Sequence, residues 1–422
     1  MENRNVENLI IGAGVTGLYC AKMLEDNYLI VEKEHECGGY CRTIYNEDYV
    51  WDYAGHFFHF QNEKIESFFL KNIENENLVY RKKNTKIYYE DILVDFPFQC
   101  NIHQLNKKEF IECLVDLFER EEQEYDTFKQ MLYAKFGKSI AEKFLIPYNE
   151  KLYACNLDSL DKNSMGRFFP YADIKTIISN MKSGEISSYN TNYFYPKRGA
   201  VTFVDAIRKN IESDNILLNQ CLQKIDIKNK IAYTNDYEIR YQNLINTMPL
   251  YEFTKLIINK ECLDLVDNVF SYNKVLVLNL GFDKSAIDKS IDWIYYPSKK
   301  INFYRVGFYS NILNQSKLSI YVEIGFDSKA QIDVKRELAV TLENLEKVHV
   351  IDGHTLKAYS AIVMSPAYVH ISEKSTNEVL RLMDVLQDYN IYTIGRYGKW
   401  TYASIEDGMV DALNLVEKLK KQ

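Results

Sequence analysis

Two arginines in the C-terminal half of the chain lie in similar aromatic settings. Arg396 belongs to the segment Gly395-Arg396-Tyr397-Gly398-Lys399-Trp400-Thr401-Tyr402, and Arg305 follows Asn302-Phe303-Tyr304. A guanidinium group is always charged and makes bidentate hydrogen bonds to phosphate oxygens, and its burial demands an anion. Together the two arginines suggest a diphosphate clamp. For either arginine alone, a structural salt bridge to one of the 59 acidic residues is the stronger interpretation.

A glycine-rich turn near the N-terminus predicts a dinucleotide site. Residues 12–17 have the pattern GxGxxG, and they follow the apolar run 8–11 and precede a helical pattern. Such glycines permit a tight turn and let backbone N–H groups approach a pyrophosphate. A second apolar run, 28–31, ends at Glu32, which is placed to bind a ribose hydroxyl and favours FAD or NAD over NADP. The candidate cofactor-binding residues here are Gly12, Gly14, Thr16, Gly17, Glu32 and Lys33.

Two further glycine segments favour FAD. The pair Gly38-Gly39, followed by Arg42, resembles the segment beside the flavin in FAD oxidoreductases of the amine-oxidase type, and a plain turn is the alternative. In Gly55-His56 the backbone could pass the isoalloxazine ring, whereas a surface histidine beside an aromatic cluster is an equally good interpretation. Gly39, Arg42, Gly55 and His56 therefore join the candidate cofactor site.

The segment Phe96-Pro97-Phe98-Gln99 offers an aromatic ring next to an amide. A ring can stack on a nucleotide base, and an amide can pair with the polar edge of that base. Taken alone, this segment is more typical of a strand end in a hydrophobic core.

Composition excludes several classes of function. A net charge of −8 disfavours a nucleic-acid or anionic-membrane partner. The eight cysteines contain no CxxC pair, and no apolar run reaches 18 residues. We therefore expect reduced thiols, no metal site, no membrane span and a cytoplasmic location.

The elements that must position these residues predict an α/β fold. We expect a Rossmann-like FAD-binding domain with an inserted helical domain and an antiparallel-sheet substrate domain. A polar loop over 183–194 interrupts the succession of helical and strand patterns. The last helix begins at the capping residue Ser404 and has one apolar face. The predicted domains are 1–95 with 195–250 and 390–422 for FAD, 96–194 for the helical substrate or flap domain, and 251–389 for the sheet-rich domain.

In order along the chain, these pieces resemble the flavin-dependent UDP-galactopyranose mutases, most closely the eukaryote-type branch. The similarity runs discontinuously from about residue 8 to residue 420. Departures include Ala54 in place of the usual glycine, Tyr153 in place of a frequent tryptophan, and Gly408 in place of a common histidine. These changes leave the identity of the sugar open. The pieces that carry the resemblance are IGAGVTGL, Ala54-Gly55-His56, Phe96-Pro97-Phe98-Gln99, Pro147-Tyr148-Asn149, Tyr195-Pro196-Lys197-Arg198-Gly199, Trp293-Ile294-Tyr295, Phe303-Tyr304-Arg305 and GRYGKWTY.

The resemblance implies a role for each matched residue. Phe98 and Gln99 would meet uracil, Asn149 would lie near the diphosphate or ribose, and the loop 183–194 would close over the substrate. His56 would lie next to flavin N5. Arg167 would be a further phosphate contact. Tyr295, Arg305, Arg396 and Tyr402 would bind the diphosphate, and Gly395 and Asp407 would bind the cofactor.

The resemblance also implies the activity. Reduced FAD would interconvert the pyranose and furanose forms of a UDP-sugar through a flavin N5–sugar adduct, with His56, Arg305 and Arg396 as the catalytic residues. A reductant such as NAD(P)H would keep the flavin reduced, and galactofuranose would serve cell-surface polysaccharide synthesis. The alternatives are an FAD-dependent oxidoreductase of the amine-oxidase or protoporphyrinogen-oxidase type and a catalytically idle nucleotide-sugar binder. The oligomeric state is open.

Overall fold

The computed structural model describes residues 1–46, 48–121, 124–183, 191–258 and 260–421. Most of the loop expected at 183–194 lies outside these residues. The part of it that is described ends as a strand, because residues 192–194 begin β8 and pair with β5.

The strands, numbered along the chain, are β1 (Glu2–Ile11), β2 (Tyr28–Val31), β3 (Thr43–Asn46), β4 (Tyr49–Asp52), β5 (Leu78–Lys82), β6 (Thr85–Tyr89), β7 (Ile92–Asp95), β8 (Asn192–Pro196), β9 (Ile216–Leu217), β10 (Lys224–Asp226), β11 (Ile231–Tyr233), β12 (Tyr237–Asn246), β13 (Ser271–Phe282), β14 (Trp293–Tyr295), β15 (Arg305–Phe308), β16 (Ser319–Asp327), β17 (Leu356–Met364), β18 (Val369–His370) and β19 (Ile391–Thr393). The helices are α1 (Val15–Leu24), α2 (Glu63–Asn72), α3 (Lys107–Glu119), α4 (Phe128–Ile140), α5 (Ile146–Tyr153), α6 (Ile174–Ser183), α7 (Val201–Arg208), α8 (Leu250–Lys255), α9 (Tyr309–Ile312), α10 (Val334–Lys347), α11 (Glu373–Gln387), α12 (Gly395–Gly398) and α13 (Ile405–Leu419).

A seven-stranded sheet forms the nucleotide-binding half of the molecule. Its parallel core has the order β19-β12-β1-β2-β9, and β10 and β11 add an antiparallel extension beside β12. The buried runs of β1 and β2 are apolar on both faces, as expected of parallel strands covered by helices. Helices α1, α7 and α13 pack on one face of this sheet. The predicted β-α-β unit is therefore confirmed.

A second, mostly antiparallel sheet of eight strands has the order β17-β13-β16-β15-β14-β6-β7, with β18 beside β13. Residues 85–95, which the sequence analysis assigns to the FAD-binding domain, form β6 and β7 and belong to this sheet. They join it because β6 pairs in parallel with β14, a long-range contact that no local pattern announces. The sheet brings three strands of the candidate site, β14, β15 and β16, side by side.

Helices α3 to α6 pack on one face of the second sheet. Their apolar faces form one core with the sheet and with aromatic residues such as Trp51, Tyr195 and Tyr321. Ser404 caps the start of α13. Its hydroxyl accepts a hydrogen bond from the backbone N–H of Asp407, and the Asp407 carboxylate accepts one from the backbone N–H of Ser404. This reciprocal cap is the one the sequence predicts. In the described part of the chain, no helix is long and apolar enough to cross a membrane.

Candidate active site

A cavity of about 800 Å³ opens at the carboxyl ends of β1 and β2. The glycines of the fingerprint shape it. Gly12 has φ +101°, and a side chain there would bring its Cβ to 2.6 Å from Thr247 Oγ1. A Cβ at Gly17 would lie 2.0 Å from the carbonyl oxygen of Gly12, whereas a Cβ at Gly14 would meet nothing within 4 Å. Two glycines thus permit close packing, and Gly14 leaves free space for a ligand.

The first turn of α1 faces this space. Its N-cap is Gly14, so no side chain occupies the first backbone N–H groups of the helix. Such a helix end attracts an anion through its N–H groups and its dipole. Thr16 lies against α12 and α13, since a Cβ at Gly395 would be 2.9 Å from Thr16 Oγ1 and one at Gly408 would be 2.2 Å from it. A side chain at Gly408 would therefore force Thr16 to move.

The Glu32 carboxylate closes the end of β2 at the cavity wall. It accepts hydrogen bonds from the backbone N–H groups of Ala13 (2.7 Å) and Glu34 (3.0 Å), and it lines the cavity together with Lys33. Arg42 also lines the cavity, beside Gly39, whose carbonyl oxygen accepts a hydrogen bond of 2.8 Å from Arg42 Nε. These residues fit an adenosine-diphosphate moiety with ribose hydroxyls near Glu32.

His56 lies where the cavity reaches the second sheet. Gly55 precedes it and packs so closely against Tyr321 that a Cβ would approach the Tyr321 hydroxyl to 2.4 Å. Burial, followed by the positive charges of Arg305 and Arg396, lowers the pKa of His56 to about 4. The ring is therefore neutral at pH 7, and its buried Nδ1 has no hydrogen-bond partner among the described residues.

Arg305 is one member of a row across three strands. In register, Tyr295 of β14 lies opposite Arg305 of β15, which lies opposite Glu323 of β16. Arg305 forms a bidentate salt bridge with Glu323, from Nε and from Nη2, at 2.6 Å each. Glu323 is 2% exposed and Arg305 is 19% exposed, so this pair is largely shielded from water. Arg305 therefore forms the structural salt bridge that the sequence analysis offered as the alternative to a diphosphate clamp.

Arg396 is placed differently, in the short helix α12. Its guanidinium donates to the carbonyl oxygens of Ala403 (3.3 Å) and Ala367 (3.2 Å), and its buried Nε has no hydrogen-bond partner in the described part of the chain. Aromatic rings surround it, with centroids at 4.9 Å for Tyr402 and 5.1 Å for Tyr368. No carboxylate within 4.0 Å neutralises this partly buried cation among the described residues, so its charge is available to a ligand.

A second cavity, of about 470 Å³, adjoins the first. The two cavities share a wall that includes two of the four candidate diphosphate ligands, Arg305 and Tyr402, together with Gly55, Phe57, Phe168 and Tyr368. Of the other two candidates, Arg396 lines the first cavity and Tyr295 lines the second. Aromatic residues dominate the second cavity, and no Asp or Glu lines it within the described ranges. Its cations are Arg305, Arg167 and Lys83. This is a setting for an aromatic, anionic ligand.

Tyr295 and Asn149 line the second cavity. The hydroxyl of Tyr295 accepts a hydrogen bond of 3.0 Å from Trp293 Nε1, and burial raises the pKa of Tyr295, so the group stays a neutral donor. Asn149 donates from Nδ2 to the carbonyl oxygen of Leu145, which leaves its buried Oδ1 without a partner in the described chain. Tyr148 adds a ring at 5.0 Å from that of Tyr295.

Phe98 and Gln99 lie outside the linings of both cavities. Phe98 is fully buried and stacks on Phe144 at 5.2 Å. Gln99 donates from Nε2 to the carbonyl oxygen of Pro170 at 2.5 Å. Phe96 and Pro97 line the second cavity in their place. The reason is a short helical turn at 98–100, which directs the Phe98 ring into the helical core, the alternative that the sequence analysis considered stronger.

Arg167 and Asp407, which the resemblance assigns to the substrate phosphate and to the cofactor, form a salt bridge with each other. Arg167 lines the second cavity and is paired with the Asp407 carboxylate and with Gln61 Oε1. Asp407 serves as the cap of α13 and lines neither cavity, whereas Gly395, Ser404 and Ile405 do line the first. Its carboxylate is committed to the cap and to Arg167, which accounts for its place away from the cofactor cavity.

Three residues of the site have no motif in the sequence. Lys83 lies in an unremarkable basic run, Glu323 in a strand of mixed character, and Tyr368 after a Ser-Pro-Ala segment. The one signal that could have indicated Glu323 is an isolated carboxylate within the apolar run of β16, whose residues 319–324 are all buried. Within the described ranges, no group of three or more His, Cys, Asp or Glu side chains is arranged to hold a metal ion.

Comparison with known proteins supports the fold. A model of the NAD(P)-binding Rossmann-like domain matches residues 10–71. A crystal structure of reduced UDP-galactopyranose mutase aligns with a TM-score of 0.92 at 20% identity, over 99% of this chain and 94% of that one. This fold is Rossmann-like with mixed α/β sheets. The predicted fold class is thereby confirmed.

More distant structures share the architecture. A putative protoporphyrinogen oxidase from Exiguobacterium sp. 255-15 aligns with a TM-score of 0.77 at 15% identity, over 100% of both chains. Cyclohexylamine oxidase from Brevibacterium oxydans IH-35A aligns with a TM-score of 0.70 at 12% identity, over 98% of this chain and 99% of that one. At such identities the likeness concerns the fold alone, and the activity must be argued from the site.

Proposed function

We propose that this chain is a mutase of the UDP-galactopyranose mutase type, related to its eukaryote-type branch, that uses reduced FAD to interconvert the pyranose and furanose forms of a UDP-sugar. The observation that carries the proposal is Arg396. Its partly buried guanidinium has no carboxylate partner among the described residues, and it lines the dinucleotide cavity beside Tyr402, which also lines the adjoining aromatic cavity. A redox enzyme for apolar substrates has no need of such a cation.

The first cavity fits FAD. Gly14 and the uncapped start of α1 would receive the diphosphate, Glu32 the ribose, and Gly39 with Arg42 the segment beside the flavin. When bound and reduced, FAD would supply the nucleophilic centre that attacks the anomeric carbon of the sugar. The flavin ring would lie near Gly55 and His56, where the two cavities join.

Arg396, Arg305, Tyr295 and Tyr402 would hold the diphosphate of the substrate. Departure of UDP from the sugar increases the negative charge on the phosphate, and preorganised donors stabilise that charge most strongly in a site that excludes water. Arg396 contributes a full positive charge, since no carboxylate neutralises it within the described residues. Arg305 contributes directed N–H groups, while Glu323 offsets its net charge. Retention of UDP lets it recombine with the rearranged sugar.

His56 would act as a neutral hydrogen-bonding residue. Its pKa of about 4 leaves it uncharged at pH 7, so it adds no third cation beside the two arginines. Its buried, unpartnered Nδ1 is available to a polar atom of the cofactor or the sugar. We also infer an NAD(P)H-type reductant from the resemblance and a cytoplasmic location from the cysteine pattern.

The test uses dithionite-reduced, FAD-loaded protein incubated with UDP-galactose, followed by separation of pyranose and furanose products. The proposal expects furanose product with the reduced protein, none with the oxidised protein, and no net consumption of reductant. Arg396→Ala should abolish most of the activity. Arg240→Ala, at an exposed arginine of β12, is the matched control and should leave it unchanged.

A second candidate is an FAD-dependent oxidoreductase of the protoporphyrinogen-oxidase or amine-oxidase type. It is favoured by the aromatic lining of the second cavity and by the shared fold. Such an enzyme would consume one two-electron acceptor, such as O2, for each pair of electrons taken from its substrate, and it would be insensitive to UDP. Turnover of the oxidised protein with an amine or porphyrinogen, unaffected by Arg396→Ala, would replace the mutase proposal.

A further inference from the structure

Lys83 is a cation of the second cavity that the proposed reaction does not use. It follows β5, and its backbone N–H donates to the carbonyl oxygen of Thr191 at 2.8 Å. Its ammonium lies 5.0 Å from the ring centroid of Phe96 and 6.0 Å from that of Trp293. Within the described residues, Lys83 Nζ makes no hydrogen bond and no ion pair.

The charged groups around Lys83 do not neutralise it. The acid that influences it is Asp292, but that carboxylate is bound to Arg81 Nε (2.8 Å) and to the backbone N–H of Asn84 (2.8 Å). The nearby His59 bonds through Nδ1 to the carbonyl oxygen of Asn192 at 2.7 Å, and burial lowers its pKa to about 4, so it is neutral.

Burial lowers the pKa of Lys83 to about 8, against the opposing effect of the Asp292 charge. The side chain is therefore still mostly protonated at pH 7. The two aromatic rings compensate part of the lost hydration through cation–π contact. A partly buried ammonium without an anion remains unfavourable, and a ligand that carries an anion would relieve that cost.

The position of Lys83 separates it from the diphosphate clamp. Trp293, whose ring it approaches, stacks on Phe57 at 5.0 Å, and Phe57 directly follows Gly55-His56 at the junction of the cavities. Phe96 lies 5.4 Å from the ring of Tyr295, the cross-strand neighbour of Arg305. Lys83 is thus one ring layer beyond the junction. A ligand whose diphosphate occupies Arg305 and Arg396 would leave Lys83 free for another group.

We propose that the sugar of the substrate carries an acidic substituent, the carboxylate of a uronic acid, and that Lys83 binds that carboxylate and determines the specificity for it. This inference rests on the proposed function, because it names the substrate class of the same site. A neutral sugar offers hydroxyls only, which would leave the Lys83 charge uncompensated.

The experiment measures dissociation constants by calorimetry at pH 7 with anaerobic, reduced, FAD-loaded protein. The ligands are UDP, UDP-galactose and UDP-galacturonic acid. We expect UDP-galacturonic acid to bind at least about 10-fold more tightly than UDP-galactose. Lys83→Met, which keeps an unbranched side chain one atom shorter and removes the charge, should abolish this preference and leave the UDP affinity within about 2-fold. Lys82→Met, at the exposed neighbouring lysine, should retain the preference.

Each outcome decides between the two proposals. Equal affinity for the two nucleotide sugars, with normal binding of UDP, would overturn the uronic-acid inference and leave the mutase proposal intact. A preference that survives Lys83→Met would overturn the role of Lys83. Absence of UDP binding to the wild-type protein would overturn both. Unchanged thermal unfolding of the Lys83→Met protein shows that a lost preference comes from the ligand site.

Discussion

Arg305 and Arg396 have similar sequence settings and opposite electrostatic situations. Arg305 lies on a strand beside Glu323, which neutralises it through two hydrogen bonds of 2.6 Å. Arg396 lies on a short helix among tyrosines and bonds only to carbonyl oxygens in the described structure. Whether a partly buried arginine has a carboxylate partner therefore depends on the residue opposite it in the neighbouring strand, as Glu323 is opposite Arg305. Arg305 offers oriented N–H donors with little net charge, and Arg396 offers an uncompensated positive charge.

Removal of the Glu323 charge should have the largest effect on stability. Glu323→Gln leaves the Arg305 guanidinium buried and uncompensated, so we expect the free energy of unfolding to fall by about 3 kcal/mol. Chemical denaturation measures this free energy.

UDP should stabilise the Glu323→Gln variant more than the wild type, because two uncompensated arginines would then bind the diphosphate. Glu238→Gln, at an exposed pair, should change stability by less than about 1 kcal/mol. Equal losses in both variants would contradict the comparison.

Arg396→Ala should affect turnover and spare stability. It removes a cation that no carboxylate balances in the described chain, so the folded state loses little, while the transition state loses a charged donor. We expect kcat to fall by about 100-fold, equivalent to about 3 kcal/mol. Steady-state kinetics with reduced protein measures this. A variant with near-normal kcat would show that Arg396 does not bind the departing diphosphate.

Much of this comparison lies beyond what the sequence can predict. The glycine fingerprint, the end of β2 at Glu32 and the cap at Ser404 are local, and the structure confirms the elements they predict. Glu323 reaches Arg305 through strand pairing across 18 residues, and β6 joins β14 across about 200, so neither contact has a local signal. The side-chain direction of Phe98 is likewise fixed by helical packing rather than by its own segment.

His56 reports on both arginines through pH. Its pKa is about 4 in the folded protein, because of burial and then the charges of Arg305 and Arg396, against about 6.5 in an unfolded chain. Between these values the unfolded state binds a proton that the folded state does not, so stability should fall as pH falls from about 6.5 to 4. His56→Asn should make this fall shallower in denaturation curves recorded across the window.

The same experiment with UDP sharpens the test. The diphosphate would offset the arginine charges and raise the pKa of His56. It would therefore reduce the loss of folding stability at low pH. His59, whose pKa burial also lowers to about 4, lies beside Lys83 and away from the arginines, so His59→Asn should flatten the curve without altering the UDP effect. A UDP effect that persists in His56→Asn would contradict the coupling of His56 to the clamp.

The smallest expected effect concerns Lys83. Because its pKa is about 8, the cation is present below that pH and is lost above it. The preference for UDP-galacturonic acid over UDP-galactose should therefore decline at alkaline pH, with a midpoint above 8 because the bound carboxylate raises the pKa. Dissociation constants from pH 7 to 10 measure it. A preference independent of pH would mean that another group binds the carboxylate.

The most direct measurement is a crystal structure of the FAD-loaded protein with UDP. We predict that a phosphate oxygen of UDP lies within about 3.2 Å of the Arg396 guanidinium, that another lies near Arg305, and that the flavin lies beside His56. A diphosphate bound away from Arg396, or a flavin outside the glycine-lined cavity, would contradict it.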